Sequence, residues 1–252
     1  MSVALAPAVR LDAVSKVYGT GRQALAALDR VSLDVAAGEF VCVLGASGCG
    51  KSTLLSLLAD LDRPTSGEIE VGLGRPALMF QESALLPWLT VWQNVELPLK
   101  LRHAAQIERQ ETVQRLLETV HLAAFARKRP HELSGGMRQR VALARALAQE
   151  ARLLLMDEPF GALDAITRDV LHEDLQAIWQ ASGLTVIFVT HNVREAVRLG
   201  DRVVLLSSRP GTVAEVWTID IPRPRSLDSP SVAATAAQIT ERLRREIRRH
   251  GN

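Results

Sequence analysis

The run Gly45-Ala46-Ser47-Gly48-Cys49-Gly50-Lys51-Ser52-Thr53 constrains this chain more than any other stretch. It follows the apolar residues Phe40 to Leu44 and leads into Leu54, Leu55, Leu57 and Leu58, so it reads as strand, glycine loop, helix. The run fits G-x-x-x-x-G-K-[ST], the phosphate-binding P-loop. Its glycines let backbone N–H groups turn inward around phosphate oxygens, and the new helix presents its positive end to them. Lys51 supplies a point charge for the outer phosphates, and Ser52 a hydroxyl for Mg²⁺.

Composition sets the outer bounds. A chain of 252 residues, 47% hydrophobic and 23% charged, can bury a core as one large domain or a domain with a subdomain. The net charge of +2 gives no reason to expect a nucleic-acid partner. No uncharged apolar run approaches the roughly eighteen residues that span a bilayer. The start, Met1 to Leu11, lacks a basic residue before its apolar part, and that part is too short for a signal peptide. Cys42 and Cys49 both sit at the P-loop, so a disulfide framework is not expected and the chain reads as cytosolic.

The pattern along the chain is that of an α/β protein with a parallel sheet. Residues 9–17 and 24–35 read as strands, and short strands follow the P-loop unit, ending at Val71 and Phe80. From 89 to 133 the period changes: Val113, Leu116, Leu117 and Val120 recur at helical spacing, which predicts a helical insert. Ser134 caps a helix to about Gln149. A buried strand, 153–156, ends in Asp157-Glu158, and Asp164 opens another helix. Helix 192–199 falls between strands 185–190 and 202–207. Pro210-Gly211 turns into a last strand, 212–219. Pro222, Pro224 and Pro230 mark a linker, and 238–250 reads as a basic C-terminal helix.

Two further constellations carry chemistry. The strand ending in Asp157-Glu158 looks like a Walker B element, with Asp157 on Mg²⁺ and Glu158 polarising a water. A strand followed by a solvated acidic turn is the alternative, which the upstream P-loop disfavours. In Leu133-Ser134-Gly135-Gly136-Met137-Arg138-Gln139-Arg140, a serine and two glycines open a helix whose N-terminus can approach an anion. A plain N-cap is the alternative there.

At this point the chain resembles the ATP-binding cassette family, the ATPase subunits of ABC transporters, from about Leu11 to Ser207. The resemblance implies a P-loop NTPase core with a parallel sheet, an N-terminal antiparallel β subdomain and a helical subdomain. It places an ATPase domain at 9–221, the helical subdomain at about 89–150, and a C-terminal linker and basic helix at 222–252. Tyr18 matches the aromatic that stacks on adenine, with covering a strand as its duller reading. Gly45, Ala46, Ser47, Gly48, Cys49, Gly50, Lys51, Ser52 and Thr53 match Walker A. Gln81 matches the glutamine that touches Mg²⁺ and the attacking water. Ser134, Gly135 and Gly136 match the signature that closes over the γ-phosphate of a partner subunit. Asp157 and Glu158 match Walker B, Asp164 the D-loop and His191 the switch histidine. Met137 departs from the glutamine many members carry, a position whose side chain is not the phosphate contact.

By that resemblance, ATP and Mg²⁺ are bound, Ser52, Gln81 and Asp157 hold the metal, and Glu158, His191, Lys51 and Gln81 serve hydrolysis. The second copy of the chain caps the γ-phosphate in a head-to-tail dimer that sandwiches ATP. The other partners implied are two transmembrane permease subunits and, through them, an extracytoplasmic solute-binding protein; nucleic acid is not among them. The chain then sits peripherally on the cytoplasmic face of the inner membrane. It is not expected to carry the extra regulatory C-terminal domain of some sugar and metal importers. Cys49, beside Lys51 and a helix N-terminus, is expected to form a reactive thiolate.

Other classes fit less well. A different P-loop NTPase has no reason for Ser134–Gly136 and His191. A soluble cassette acting on DNA or ribosomes usually needs tandem cassettes or a coiled-coil arm, for which the stretch between Gln81 and Leu133 is too short. An ABC ATPase of another transporter class remains an alternative. Gln81-Glu82-Ser83-Ala84-Leu85-Leu86-Pro87-Trp88-Leu89-Thr90-Val91 and Ser208-Arg209-Pro210-Gly211 are similar to segments of nitrate, sulfonate and taurine importers. Leu85, Leu86 and Trp88 offer an apolar surface for a short permease helix, or else belong to the core of the helical insert.

Overall fold

A computed structural model describes residues 7–250. Two sheets organise it. The first is three-stranded and antiparallel, in the order β2 (Leu25–Val35), β1 (Val9–Tyr18), β4 (Ser66–Val71). The second has six strands in the order β5-β6-β7-β3-β8-β9. In it β3 (Phe40–Leu44) lies between β7 (Thr185–Thr190) and β8 (Arg202–Leu206), with β6 (Leu153–Asp157) and β5 (Ala77–Met79) beyond β7. These five strands are parallel. The edge strand β9 (Val213–Thr218) pairs antiparallel with β8, so the sheet is mixed rather than wholly parallel. The cause is local: β8 and β9 are joined by the short Pro210-Gly211 turn, which can only fold the chain back on itself.

Strand alternation divides the core. Val41 and Val43 of β3 face one side, with Leu54, Leu55, Leu57 and Leu58 of α1 (Lys51–Leu58) and the apolar face of the antiparallel sheet. Phe40, Cys42 and Leu44 face the other side, against α4 (Gly135–Leu147), α5 (Ala165–Ser182) and α6 (Val193–Leu199). Both faces are covered, which is why the central strands read as unbroken apolar runs. A third cluster binds α2 (Val91–Leu101) and α3 (Gln106–Thr119) to α4 through Val95, Leu99, Val113, Leu117, Val141 and Ala144. Helix α4 belongs to both clusters and joins the helical layer to the sheet.

The C-terminal helix α7 spans Pro230–His250, eight residues longer at its start than the expectation at Gln238. Pro230 suits a first helical position, and Ser229 Oγ accepts from Val232 N at 3.3 Å. Val232, Ala236 and Ile239 are buried against the sheet's helical side, with Leu243 beside them. The small residues of Ser231–Ala237 hid this stripe. The proline-rich stretch before α7 is anchored too. Arg225 is buried, and its guanidinium donates to the carbonyls of Val197 (2.9 Å), Gly200 (2.5 Å), Ile219 and Ile221 (both 2.8 Å). The apolar start considered as a leader lies partly outside the described residues. No helix among the described residues is long and apolar enough to cross a membrane.

Candidate functional site

The P-loop follows β3 directly and α1 begins at Lys51. Gly50 has φ +99°, and a Cβ there would lie 2.6 Å from Leu28 Cδ2 and 2.7 Å from Ala27 O. Only glycine meets both demands, so β2 presses the loop into its shape from behind. Lys51 is buried, and its Nζ donates to the carbonyls of Gly45 (3.0 Å) and Ala46 (3.1 Å). The same Nζ is 3.9 Å from Glu158 Oε1. Ser47, Gly48 and Ser52 are exposed at the mouth of the loop.

Cys49 corrects the expectation of a reactive thiolate. Its side chain is 1% exposed, packed among the apolar residues under the loop. Burial raises its pKa, and Lys51 opposes that only in part. Position beside a lysine and a helix start does not make a thiolate when the sulfur points into the core.

Asp157 ends β6 and Glu158 follows at φ +43°, a left-handed conformation uncommon outside glycine. Glu158 N donates to Val189 O at 3.0 Å, which locks that turn against β7. The turn aims the side chain at His191, whose Nδ1 lies 2.8 Å from Glu158 Oε2. Burial raises the Asp157 pKa, while a hydrogen bond with Ser52 acts against the rise. A half-buried carboxylate that resists its own charge, next to an exposed hydroxyl, is a donor pair that fits a hard cation shared with phosphate. Among the described residues there is no cluster of three or more His, Cys, Asp or Glu of the kind that cages a metal by itself.

The cluster of Lys51, Ser52, Asp157, Glu158 and His191 therefore forms at the C-terminal ends of β3, β6 and β7, where open α/β sheets bind ligands. Gln81 lies beside it, its Nε2 3.8 Å from where a Cβ on Gly161 would stand, as is Glu158 Oε2. Tyr18 is 40% exposed. Its hydroxyl donates to Asp62 Oδ2 at 3.2 Å, and Lys16 Nζ sits 5.0 Å from the ring centroid. The hydrogen bond from Lys16 leads the causes that hold the Asp62 carboxyl below its usual range.

Ser134, Gly135 and Gly136 lie elsewhere. Ser134 caps α4, its Oγ accepting from Met137 N at 3.3 Å. A Cβ on Gly135 would touch Leu163 Cδ2 at 3.4 Å, and one on Gly136 would crowd Thr167 Cγ2 at 2.5 Å. The start of α4 is thus packed on the start of α5, which Asp164 caps through Thr167 N at 3.0 Å. Among the described residues no hydrogen bond joins Ser134–Gly136 to the P-loop.

Sequence reasoning missed the residues that hold the segment after Gln81. Gln139 Nε2 donates to Gln81 O at 2.8 Å, and Arg145 donates to Ser83 O (2.9 Å) and Ala84 O (2.8 Å). The available signal was a polar residue in a buried stripe, Gln139 with Ala142, Leu143 and Ala146 at helical spacing. Further on, Trp88 is 66% exposed, which removes it from the core of the helical insert. Buried Asn94 fixes the loop that carries it, accepting from Leu86 N at 2.9 Å and donating to Leu86, Leu89 and Thr90 carbonyls. A groove of about 860 Å³ opens nearby between the end of α1, β5, α2 and α4. Phe80, Leu61 and Leu101 are exposed along it.

Comparison with known proteins identifies relatives along most of the chain. A family profile described as ABC transporter matches residues 28–161. The nitrate import ATP-binding protein NrtD of Synechocystis sp. is 48% identical over 83% of this chain and 81% of its own length. The taurine import ATP-binding protein TauB of Burkholderia pseudomallei is 47% identical over 83% of this chain and 84% of its own. A dimeric structure of the ATP-binding cassette MJ0796, in a post-hydrolysis state bound to ADP and Pi, superimposes with a TM-score of 0.75 at 35% identity. It covers 85% of this chain and 100% of that one. With the motifs assembled on this fold and relatives this similar along most of their length, the chain belongs to the ABC transporter family.

Proposed function

We propose that this chain is the ATP-hydrolysing subunit of an importer for a small oxyanion or organosulfur/nitrogen solute of the nitrate, sulfonate or taurine type. The observation that carries the reading is the meeting of Lys51, Ser52, Asp157, Glu158 and His191 at one end of the parallel strands. Phosphoryl transfer to water needs positioning and charge neutralisation rather than covalent chemistry by the protein. The loop amides and Lys51 bind the β/γ oxygens, Lys51 exchanging its bonds to the Gly45 and Ala46 carbonyls for phosphate. Ser52 and Asp157, with Gln81, would hold Mg²⁺, which when bound neutralises phosphate charge. Glu158 orients water and takes its proton. His191, hydrogen-bonded to Glu158, orients that carboxylate and the γ-phosphate. Tyr18 keeps one ring face for the base, the other lying under Lys16.

This half-site leaves the far side of the γ-phosphate open. Ser134–Gly136, at the start of α4, supply that cap in a second copy, giving a head-to-tail dimer with two ATP molecules in its interface. ATP favours the closed dimer because only that state contacts the nucleotide from both sides. Separate permease subunits dock in the groove lined by Phe80, Leu61 and Leu101 and against Trp88, held out by the Asn94-braced loop. The chain is then peripheral on the cytoplasmic face of the inner membrane, and an extracytoplasmic solute-binding protein delivers cargo to the permease.

Deleting the gene and measuring uptake of labelled nitrate and taurine tests the reading. Loss of one of them, restored by wild type and not by Glu158→Gln, supports it; uptake of both unaltered by the deletion overturns the solute assignment. Trp88→Ala tests the docking surface. It should weaken copurification with the permease and leave ATP affinity unchanged, and intact assembly would remove Trp88 from the interface.

A further inference from the structure

Beneath the Glu158–His191 pair lies a buried polar chain that the mechanism above does not use. Glu195, on α6, is buried, and its carboxylate accepts two hydrogen bonds from the chain's interior. One comes from His172 Nε2 on α5, at 2.6 Å from Glu195 Oε1. The other comes from the Thr190 hydroxyl at the end of β7. Thr190 Oγ1 in turn accepts from Asn192 N at 3.0 Å. Asn192 caps α6, its Oδ1 accepting from Arg194 N (3.0 Å) and Glu195 N (3.3 Å). The residue between Thr190 and Asn192 is His191. Its backbone is therefore pinned on both sides by groups tied to one buried carboxylate.

The same imidazole also reaches the other member of the pair. His172, 1% exposed, lies edge-on to Phe160 with ring centroids 5.6 Å apart. Phe160 is two residues after Glu158, in the turn closed by Gly161 N to Glu158 O at 3.1 Å. Arg168, one turn before His172 on α5, donates to Phe160 O (3.2 Å) and Leu163 O (2.6 Å). One side chain thus contacts both the segment carrying Glu158 and the hydrogen-bond chain that sets His191. At 2.6 Å the His172 ring nitrogen and the Glu195 carboxylate oxygen are joined by a hydrogen bond, with the N–H as donor. A polar group this deep is costly unless bonded, and here both Glu195 oxygens and His172 Nε2 are, while His172 Nδ1 has no hydrogen-bond partner among the described residues.

We infer that His172, through Glu195 and Thr190, is a positioning residue that sets the Glu158–His191 pair for hydrolysis. At 1% exposure it lies beneath the site surface and acts only by fixing the two segments relative to each other. This rests on the ATPase reading above. An angstrom of misplacement at a reacting group costs up to about 100-fold in rate, so the effect is expected in turnover rather than in binding.

Three substitutions, assayed in the intact purified protein by MgATP hydrolysis and nucleotide titration, test it. His172→Leu should lower kcat by about tenfold or more while KM for ATP stays within about twofold. His172→Gln keeps an N–H donor at similar reach and should restore most of the turnover. Thr190→Val removes the hydroxyl without changing volume and should lower kcat in the same selective way. If His172→Leu does not fold, the Thr190→Val result decides. Wild-type kcat in Thr190→Val, equal losses in His172→Leu and His172→Gln, or a parallel collapse of kcat and ATP affinity would each overturn the positioning role. Absence of hydrolysis by the wild type would instead overturn the ATPase reading, so the two failures are distinguishable.

Discussion

The P-loop end and the Ser134 end of this molecule are both glycine-rich helix starts, yet they are built in opposite ways. The P-loop is enclosed: β2 presses on Gly50 from behind, Cys49 is sunk in the core, and Lys51 is already hydrogen-bonded to its own loop. The start of α4 has Ser134 exposed, with Gly135 and Gly136 turned against Leu163 and Thr167 of α5. The first is a finished cradle within one chain, while the second is a rigid edge that faces outward. This difference is what makes a second copy a physical requirement of the proposed mechanism. In that proposal one end grips a phosphate alone, and the other has work only when another protomer's nucleotide reaches it.

The largest effect should come from the enclosed end. Glu158→Gln is expected to lower ATP turnover by about 1,000-fold with ATP still bound, and to accumulate a dimer on size exclusion with ATP and Mg²⁺. A monomer that hydrolyses normally would break the comparison at its root. Ser134→Arg should cost about 100-fold in turnover while the nucleotide affinity of the single protomer, read by fluorescence titration, holds. Equal loss of affinity would mean that the outward edge serves its own chain. Gly50→Ala should destabilise the fold by roughly 1–3 kcal/mol in urea unfolding, because the left-handed backbone and the contact with Leu28 both resist a methyl group. An unchanged midpoint would show that β2 does not brace the loop. Smallest is the response of Cys49 to maleimide. Its raised pKa keeps the neutral thiol to higher pH, so labelling of the folded protein should lag the urea-unfolded chain and rise only in alkali. Loss of ATPase activity in wild type, absent in Cys49→Ala at neutral pH, would restore the reactive reading.

Most of the architecture was legible because its signals are local. A β-branched run such as Thr185–Thr190 or the apolar Leu153–Met156 specifies a buried strand whatever surrounds it. The glycine spacing and Asp157-Glu158 were recognisable as motifs for the same reason. The extra two turns of α7 were not legible, since Ser231–Ala237 contains mostly small residues that become a packing face only when α6 lies opposite. The direction of β9 could have been read from the brevity of its turn. Exposure at Trp88 could not, because it goes with four hydrogen bonds that the buried side chain of Asn94 makes to the preceding loop, and that burial arises only when α2 packs.

By itself the sequence determined where the P-loop pattern lies, where strands and helices alternate, and to which family the chain belongs. All of these depend on neighbours within a few positions along the chain. Tertiary structure alone decided that Cys49 is buried, that Gln139 and Arg145 hold the segment after Gln81, and that His172 contacts both Glu158's turn and Glu195. Those outcomes depend on which surfaces meet across the fold, and burial, hydrogen-bond partnering and relative orientation do not exist until they do.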